Sequence, residues 1–435
     1  MHEVVGYAKK GFGLLESGKE VIGGVKGDIV LLAPAKKSPH QIEKIVTSSP
    51  LRIEKICPHA PYCGGCSWQE MQYEAQLQEK EARLKLLFPG EEIAPITPSP
   101  EQKGFRGKME FTFSKDRKGH FYLGLILAGS RGWVENVSAC QVMPAWGNTI
   151  LDRVRLWWQE SGLDAYYGPK DRGHLRTLTL RSGKRGSKMV ILTVSGNPLY
   201  SLERAHIESF TKEAFLDENT SVYLVIQQTI PKQPTQFYEM HLKGPEYLEE
   251  ELLGQTFFIS PLAFFQPNPL VAEKMFLKVK ELLAVTGKEK ILDLYCGMGT
   301  IGALLAPYVR QVVGVELNAR SIVDAKAHVE RLGLDNVSLW QGDVQEFLEK
   351  KLPFFQPDIV IVDPPRSGLT PKTLALLPLL QAKKIVYVSC NPTTQAKDLE
   401  ILTQTYQIEG IYPFDAFPHT PHIENIILLT RTTTV

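Results

Sequence analysis

The sequence predicts a multidomain α/β protein, with a small β-barrel at the N-terminus, a mixed α+β middle region and a Rossmann-like C-terminal third. Three observations carry that expectation. The chain is 435 residues long, more than one ordinary core accommodates, so it should divide into roughly two to four units. Its last third alternates near-continuous apolar runs with helical stretches, the pattern of right-handed βαβ crossovers. Its first fifty residues instead show short apolar runs broken by glycine at close intervals, the pattern of a small barrel.

Composition sets the bounds. With 43% hydrophobic and 22% charged residues, the chain has the balance of a globular protein that buries a sizeable core. No apolar run reaches the roughly 18 to 20 residues that span a bilayer, and the start MHEVVGYAKK lacks the apolar segment of a signal peptide. A cytoplasmic protein with no membrane partner is therefore expected. In that reduced compartment the six cysteines are better candidates for metal ligation or catalysis than for disulfides. The net charge of +1 gives no argument for a nucleic-acid partner, so local patches must supply one. A monomer is the default expectation.

Residues 1–50 make the first domain, with Lys9, Lys10, Lys36 and Lys37 at loop-like positions. Residues 51–260 make the second. It opens on a cysteine cluster, CPHAPYCGGCSWQEM, followed by a helix in which Tyr73, Leu77, Leu84 and Leu87 recur at helical spacing until Pro89-Gly90 stops it. Further on, MEFTFS, HFYLGLIL, LRTLTLRS and KMVILTVS read as strands and GNPLYSLERAHIESFTKEAF as a helix. Arg106, Lys108, Arg117, Lys118, Arg181, Lys184, Arg185 and Lys188 concentrate positive charge there, as an RNA-facing patch or as lysines guarding edge strands. Residues 261–435 make the third domain, in which KILDLY, QVVGVE, VSLWQ, DIVIVD and KIVYVS read as strands of a doubly wound parallel sheet buried on both faces.

The stretch from Asp293 to Gly302, DLYCGMGTIG, ends a strand and opens a helix, and it contains G-x-G-x-x-G at Gly297, Gly299 and Gly302. Such a turn seats a pyrophosphate at a helix N-terminus or cradles the amino-acid end of S-adenosylmethionine. Glu316, ending the next strand, suits the ribose hydroxyls of either cofactor. Asp343, after the third strand, suits an adenine amino group. Asp363-Pro364-Pro365-Arg366, after the fourth, has no evident use in a dehydrogenase and tips the balance toward methyl transfer.

Cys390, in VYVSCNP, lies just past a buried strand at the carboxyl edge of the sheet, where ligands of such folds bind. Methylation of a pyrimidine at carbon 5 demands a thiolate in that place. Carbon 5 of uracil is too weak a nucleophile to attack a sulfonium methyl until a nucleophile adds at carbon 6. A base must later remove the carbon-5 proton. Glu424, in PHTPHIEN, is the candidate base, and His419 and His422 are alternatives by their ordinary pKa.

With DLYCGMGT, DPPRSGL, SCNP and PHIEN in this order, and Phe265-Gln266-Pro267-Asn268 ahead of them, the last third resembles the RNA uracil-5-methyltransferases, a class I S-adenosylmethionine-dependent family. The resemblance implies Cys390 as nucleophile, Glu424 as proton acceptor, and Gln266, Tyr295, Gly297, Thr300, Glu316, Asp343 and Asp363 as cofactor-binding positions. Thr300 stands where enterobacterial ribosomal members carry Asn. By spacing alone Cys57, Cys63, Cys66 and the distant Cys140 suit zinc or an iron–sulfur cluster equally. The resemblance implies a [4Fe–4S] cluster, with Glu70 where many relatives have histidine.

The first fifty residues resemble a TRAM domain, a small RNA-binding barrel of OB-like character. TRAM-like start and four cysteines together imply the branch that modifies 23S ribosomal RNA. The tRNA-modifying branch and a non-catalytic iron–sulfur RNA-binding protein are the alternatives, with a dinucleotide-using oxidoreductase behind them.

Overall fold

The computed structural model describes residues 1–34, 38–230, 232–351 and 355–432. Lys36 and Lys37 lie outside the described residues, whereas Lys9 and Lys10 sit exposed in a turn. Two compact units emerge. The first comprises Met1–Gln76, Glu101–Glu250 and Pro418–Pro421, and the second Leu77–Pro100, Glu251–Phe417 and the chain from His422 onward.

The first unit holds two sheets. Strands β1 (His2–Tyr7), β2 (Gly13–Leu15), β3 (Glu20–Val21), β4 (Ile29–Leu32) and β5 (Ile42–Thr47) form an antiparallel sheet in the order β3-β2-β1-β4-β5. The sheet curls until its ends meet. The Ile22 N–H donates to the His40 carbonyl at 2.9 Å, and the His40 N–H to the Glu20 carbonyl at 2.8 Å. Val4, Leu15, Val21 and Val30 fill its interior. Such closure leaves few unpaired edge groups, which is how a barrel of glycine-broken strands stays soluble.

Helix α1 (Tyr73–Leu87) follows. Leu77 and Leu87, expected on its buried stripe, are only half-buried. Lys80 takes the buried position instead, its Nζ 2.6 Å from Asp415 Oδ1 and 3.3 Å from the Phe417 carbonyl.

The second sheet of the first unit contains β6 (Lys108–Lys115), β7 (Phe121–Ile126), β8 (Val134–Asn136), β9 (Leu175–Ser182), β10 (Lys188–Ser195), β11 (Thr220–Gln228) and β12 (Gln236–Lys243), ordered β12-β11-β10-β9-β6-β7-β8. Helices α2 (Ala145–Ser161) and α3 (Arg204–Ala214) pack against each other beside it. Because α3 crosses between β10 and β11, those two run parallel, while every other neighbouring pair is antiparallel. Trp158 of α2 meets Phe113 and Phe121 edge-on at ring distances of 5.0 and 4.7 Å. The cations expected here do not form one patch. Arg117, Lys118, Lys184 and Arg185 are exposed in turns, but Arg181 is buried opposite Lys108 in the ladder, and Lys188 is paired with Asp217 at 2.7 Å.

Beyond a hairpin of β13 (Leu248–Leu252) and β14 (Gln255–Ile259) and helix α4 (Pro269–Leu283), the second unit is a seven-stranded sheet. Its strands are β15 (Lys290–Leu294), β16 (Gln311–Glu316), β17 (Val337–Gln341), β18 (Ile359–Val362), β19 (Lys384–Ser389), β20 (Tyr406–Phe414) and β21 (Glu424–Arg431). The intervening helices are α5 (Thr300–Leu305), α6 (Ala319–Arg331), α7 (Val344–Lys351), α8 (Pro371–Leu376) and α9 (Pro392–Leu402). The order is β17-β16-β15-β18-β19-β21-β20. Every residue of β18, Ile-Val-Ile-Val, is buried, and burial of each such side chain contributes about 1.5–3 kcal/mol. The sheet departs from the all-parallel expectation at one place. β21 runs antiparallel to β19 and β20, because a loop rather than a helical crossover joins β20 to it. Among the described residues no helix is long and apolar enough to cross a membrane.

Candidate active site

The carboxyl ends of β15, β16, β18 and β19 place the expected residues. After Leu294 the chain turns sharply through left-handed backbone at Tyr295 (φ 62°), Gly297 (φ 56°) and Gly299 (φ 70°). For an aromatic residue such as Tyr295 this conformation costs about 1–3 kcal/mol, a strain that tends to cluster at ligand sites. Gly302 is closely packed: a Cβ there would come 3.0 Å from Val312 Cγ1 and 3.2 Å from Asp293 Oδ2, which accepts the Gly302 N–H at 3.2 Å. Glu316 at the end of β16 accepts from the Gly297 N–H at 3.1 Å and the Asn318 N–H at 2.7 Å. Asp343 is exposed and caps α7 by accepting from the Glu346 N–H at 3.1 Å. Thr300 opens α5, and Gln266 is half-buried two residues before Asn268. Asn268 is itself structural: its side chain caps α4 through the Val271 N–H and donates to Ser99 Oγ at 3.2 Å and the Ala416 carbonyl at 3.1 Å.

Asp363 follows β18, and the loop after it is pinned to α9. Asn391 Nδ2 donates to the Arg366 carbonyl at 2.8 Å, and the Leu369 N–H donates to Asp398 Oδ2 at 2.9 Å. These bonds bring Arg366 beside Cys390. Burial pushes the Cys390 thiol up to about 11, Glu424 and Asp363 push the same way, and the Arg366 guanidinium opposes them by charge and hydrogen bond. Glu424, the first residue of β21, is buried and raised to about 8, by burial first and then by Asp363. Ser389 and Asn425 are the last paired residues of the β19–β21 ladder, so Cys390 and Glu424 are the next residues along their two strands.

Two residues absent from the expected site belong to it. Asp293 is buried, its Oδ1 finds no partner among the described residues, and burial followed by the charge of Asp363 raises its carboxyl to about 7. Asp363 is likewise raised to about 7 by burial. Two buried carboxyls, one of them with an unmatched acceptor, suit a cationic ligand carrying N–H donors, which S-adenosylmethionine is. Arg366 is the second. Sequence shows both inside DLYCG and DPPR, but only burial and the α9 bonds reveal what they touch.

The alternative bases fare differently. His419 is buried in the first unit, where its Nδ1 faces Gln76 Nε2 at 3.3 Å and its Nε2 faces the Gln102 carbonyl at 3.0 Å, so both ring nitrogens are committed to structural contacts. His422 is exposed and stands edge-on to Phe417.

A family model of tRNA (uracil-5-)-methyltransferases matches residues 246–432. The chain is 41% identical over 440 residues to an uncharacterised RNA methyltransferase of Protochlamydia amoebophila, across 94% of this chain and 99% of that one. This chain belongs to the RNA uracil-5-methyltransferase family. A second family member, an uncharacterised RNA methyltransferase of Caldanaerobacter subterraneus, is 34% identical over 422 residues, covering 95% and 93% of the two chains. Among solved structures, the tRNA (uracil-54, C5)-methyltransferase of Pyrococcus abyssi, in complex with S-adenosyl-L-homocysteine, is 30% identical with a TM-score of 0.76, over 99% of this chain and 100% of that one. Its class is thus that of S-adenosylmethionine-dependent enzymes acting on RNA uracil at carbon 5.

In the first unit, Cys57, Cys63, Cys66 and Cys140 line one cavity of about 180 Å³ together with His59, Gln69 and Arg106. Asn148 holds the distant member, accepting from the Cys140 N–H at 2.8 Å. Burial pushes Cys63 and Cys66 up to about 12, and neighbouring thiols add to the rise. Among the described residues no three His, Cys, Asp or Glu side chains gather closely enough to hold a single metal ion. One zinc ion would draw four sulfurs to within about 2.3 Å of a point. An iron–sulfur cluster takes one thiolate on each iron, so four thiols around one cavity are a donor set that either group can use.

Proposed function

We propose that this chain methylates carbon 5 of a uridine in 23S ribosomal RNA, with Cys390 as nucleophile and Glu424 as base. The observation that carries the chemistry is the meeting of Cys390, Glu424 and Arg366 at the carboxyl edge of one sheet, beside the buried carboxyls of Asp293 and Asp363. S-adenosylmethionine supplies an electrophilic methyl there. Gln266, Tyr295, Gly297, Thr300, Glu316, Asp343 and Asp363 would hold it, with Asp293 Oδ1 as a further acceptor.

The Cys390 thiol gives its proton to solvent, and the thiolate is held beside Arg366, which offsets the burial that keeps the thiol neutral. The thiolate adds to carbon 6, and the electrons of the 5,6 double bond pass to carbon 5 as an enolate. Carbon 5 then takes the methyl from the sulfonium, and S-adenosylhomocysteine is the leaving group. Glu424, as carboxylate, removes the carbon-5 proton, the double bond re-forms and Cys390 leaves as thiolate. Glu424 returns the proton to solvent, so each turnover starts and ends on the Cys390 thiolate and the Glu424 carboxylate, with one proton released.

In this reading residues 1–50 are a TRAM-like RNA-binding domain, residues 51–260 hold a [4Fe–4S] cluster on Cys57, Cys63, Cys66 and Cys140, and residues 261–435 catalyse. The ribosomal reading rests on the resemblance of residues 1–50 to a TRAM domain together with the four cysteines. A second reading, a tRNA uridine, is favoured by the likeness to the Pyrococcus abyssi enzyme. Incubation with methyl-labelled S-adenosylmethionine and either 23S or tRNA transcript, followed by digestion to nucleosides, separates the two. Label in 5-methyluridine from 23S alone is expected; label from tRNA alone rejects the ribosomal reading, and none from either rejects both.

A further inference from the structure

Helix α9 carries a polar stripe where an ordinary surface helix would bury apolar side chains. Asn391, Thr394, Gln395 and Asp398 recur at helical spacing, and Gln395 and Asp398 are buried. Each is committed. Asn391 and Thr394 donate to the Arg366 carbonyl at 2.8 and 3.4 Å. Asp398 accepts from the Tyr387 hydroxyl at 2.5 Å and the Leu369 N–H at 2.9 Å. Gln395 faces the other way along the sheet. Its Nε2 donates to the Tyr387 carbonyl at 2.9 Å and the Asn425 carbonyl at 3.5 Å, and its Oε1 accepts from Asn425 Nδ2 at 2.7 Å.

Asn425 sits between Glu424 and the rest of β21, opposite Ser389, which precedes Cys390. The β19–β21 ladder stops at that rung, so it does not tie Cys390 to Glu424, which is held from the other side by its pairing with Phe414 of β20. Both amides are fully buried, and Asn425 Oδ1 has no partner among the described residues. A pair serving stability alone would be better met by two apolar side chains, because a half-satisfied buried amide is unfavourable.

We propose that Gln395 and Asn425 form a clamp that sets the spacing of Cys390 and Glu424, making both of them positioning residues for the reaction. The proposal rests on the roles given above to Cys390 and Glu424. The clamp acts where the carbon-5 proton is removed, since that step needs the carboxylate to reach a base already tethered to Cys390.

The test compares Gln395→Met, Asn425→Leu and the double variant with wild type, on 23S and tRNA transcripts. It reads kcat, KM for S-adenosylmethionine, unfolding midpoint and the fraction of protein trapped as covalent adduct on a denaturing gel. Each single variant is expected to lower kcat at least tenfold, hold KM within about twofold and raise the adduct fraction. The double variant, with no unmatched amide, is expected to regain the wild-type midpoint without regaining kcat. Recovery of kcat together with the midpoint would overturn the clamp and leave a purely structural pair. Gln395→Asn, which keeps the amide but withdraws it by one methylene, gives the same test if the apolar pair folds poorly: the same fall in kcat supports the clamp, and wild-type kcat sinks it. Turnover by Cys390→Ala, or no 5-methyluridine from wild type, is a separate result that removes the functional reading itself and the clamp with it.

Discussion

The strand-end site of the second unit and the cysteine cavity of the first are both places where burial holds ionisable groups neutral, yet they are built in opposite ways. The strand-end site gathers Asp293, Asp363, Cys390 and Glu424 from the ends of β15, β18, β19 and β21, which lie side by side in one sheet. The cavity gathers Cys57, Cys63 and Cys66 from one loop and Cys140 from a segment more than seventy residues later. In the first, raised carboxyls sit beside a fixed cation, Arg366, and protons come and go. In the second, raised thiols crowd together with Arg106 on the wall, and only a bound cation or cluster would make four thiolates favourable. Mobile protons suit chemistry, and fixed ligands suit architecture.

Replacements should separate these roles sharply. Cys390→Ala is expected to cut methyl transfer to below about 10⁻⁴ of wild type, with an unchanged unfolding midpoint; residual turnover near wild type would dissolve the contrast. Glu424→Gln should transfer the methyl but stall before elimination, leaving a slow-migrating protein–RNA species on a denaturing gel. Absence of that species would move the base elsewhere. Cys63→Ser should act in the other direction, losing most of the bound iron and lowering the unfolding midpoint, while activity per folded molecule falls less than about tenfold. Full iron content in that variant would remove Cys63 from the ligand set.

Lys80→Met tests burial of charge without chemistry. It strands Asp415 in the interior and should destabilise the protein by about 3–5 kcal/mol, read by denaturant unfolding, and Lys80→Met with Asp415→Leu should recover much of that loss. A further effect is on pH dependence. Glu424, raised to about 8, binds its proton more tightly folded than unfolded, so its contribution lowers stability as pH climbs from about 4.5 toward 8 and is flat above. Glu424→Gln should therefore show a shallower decline in unfolding midpoint across that window than wild type; identical slopes would mean the carboxyl is not held neutral.

Much of the second unit was legible because its central strands are buried on both faces, so DIVIVD and KIVYVS contain β18 and β19 as near-continuous apolar runs. Helix α2 was not anticipated, although Ile150, Leu151, Val154, Trp157 and Trp158 do recur at helical spacing. The eight cations were misleading for a different reason: charge in a sequence says nothing of depth, and Arg181 proved to be a core residue. The same blindness explains Lys80, which reads as one charge among several on α1.

The amino-acid order alone fixed which residue types could do the chemistry, because a strand end followed by glycines, a proline-stiffened acid or a cysteine is a local property. Which of them are neutral, which cation faces the thiol and which amides tie the nucleophile's strand to the base's strand were settled only by folding. Those properties depend on desolvation and on partners far away along the chain, and neither quantity is written in any single segment.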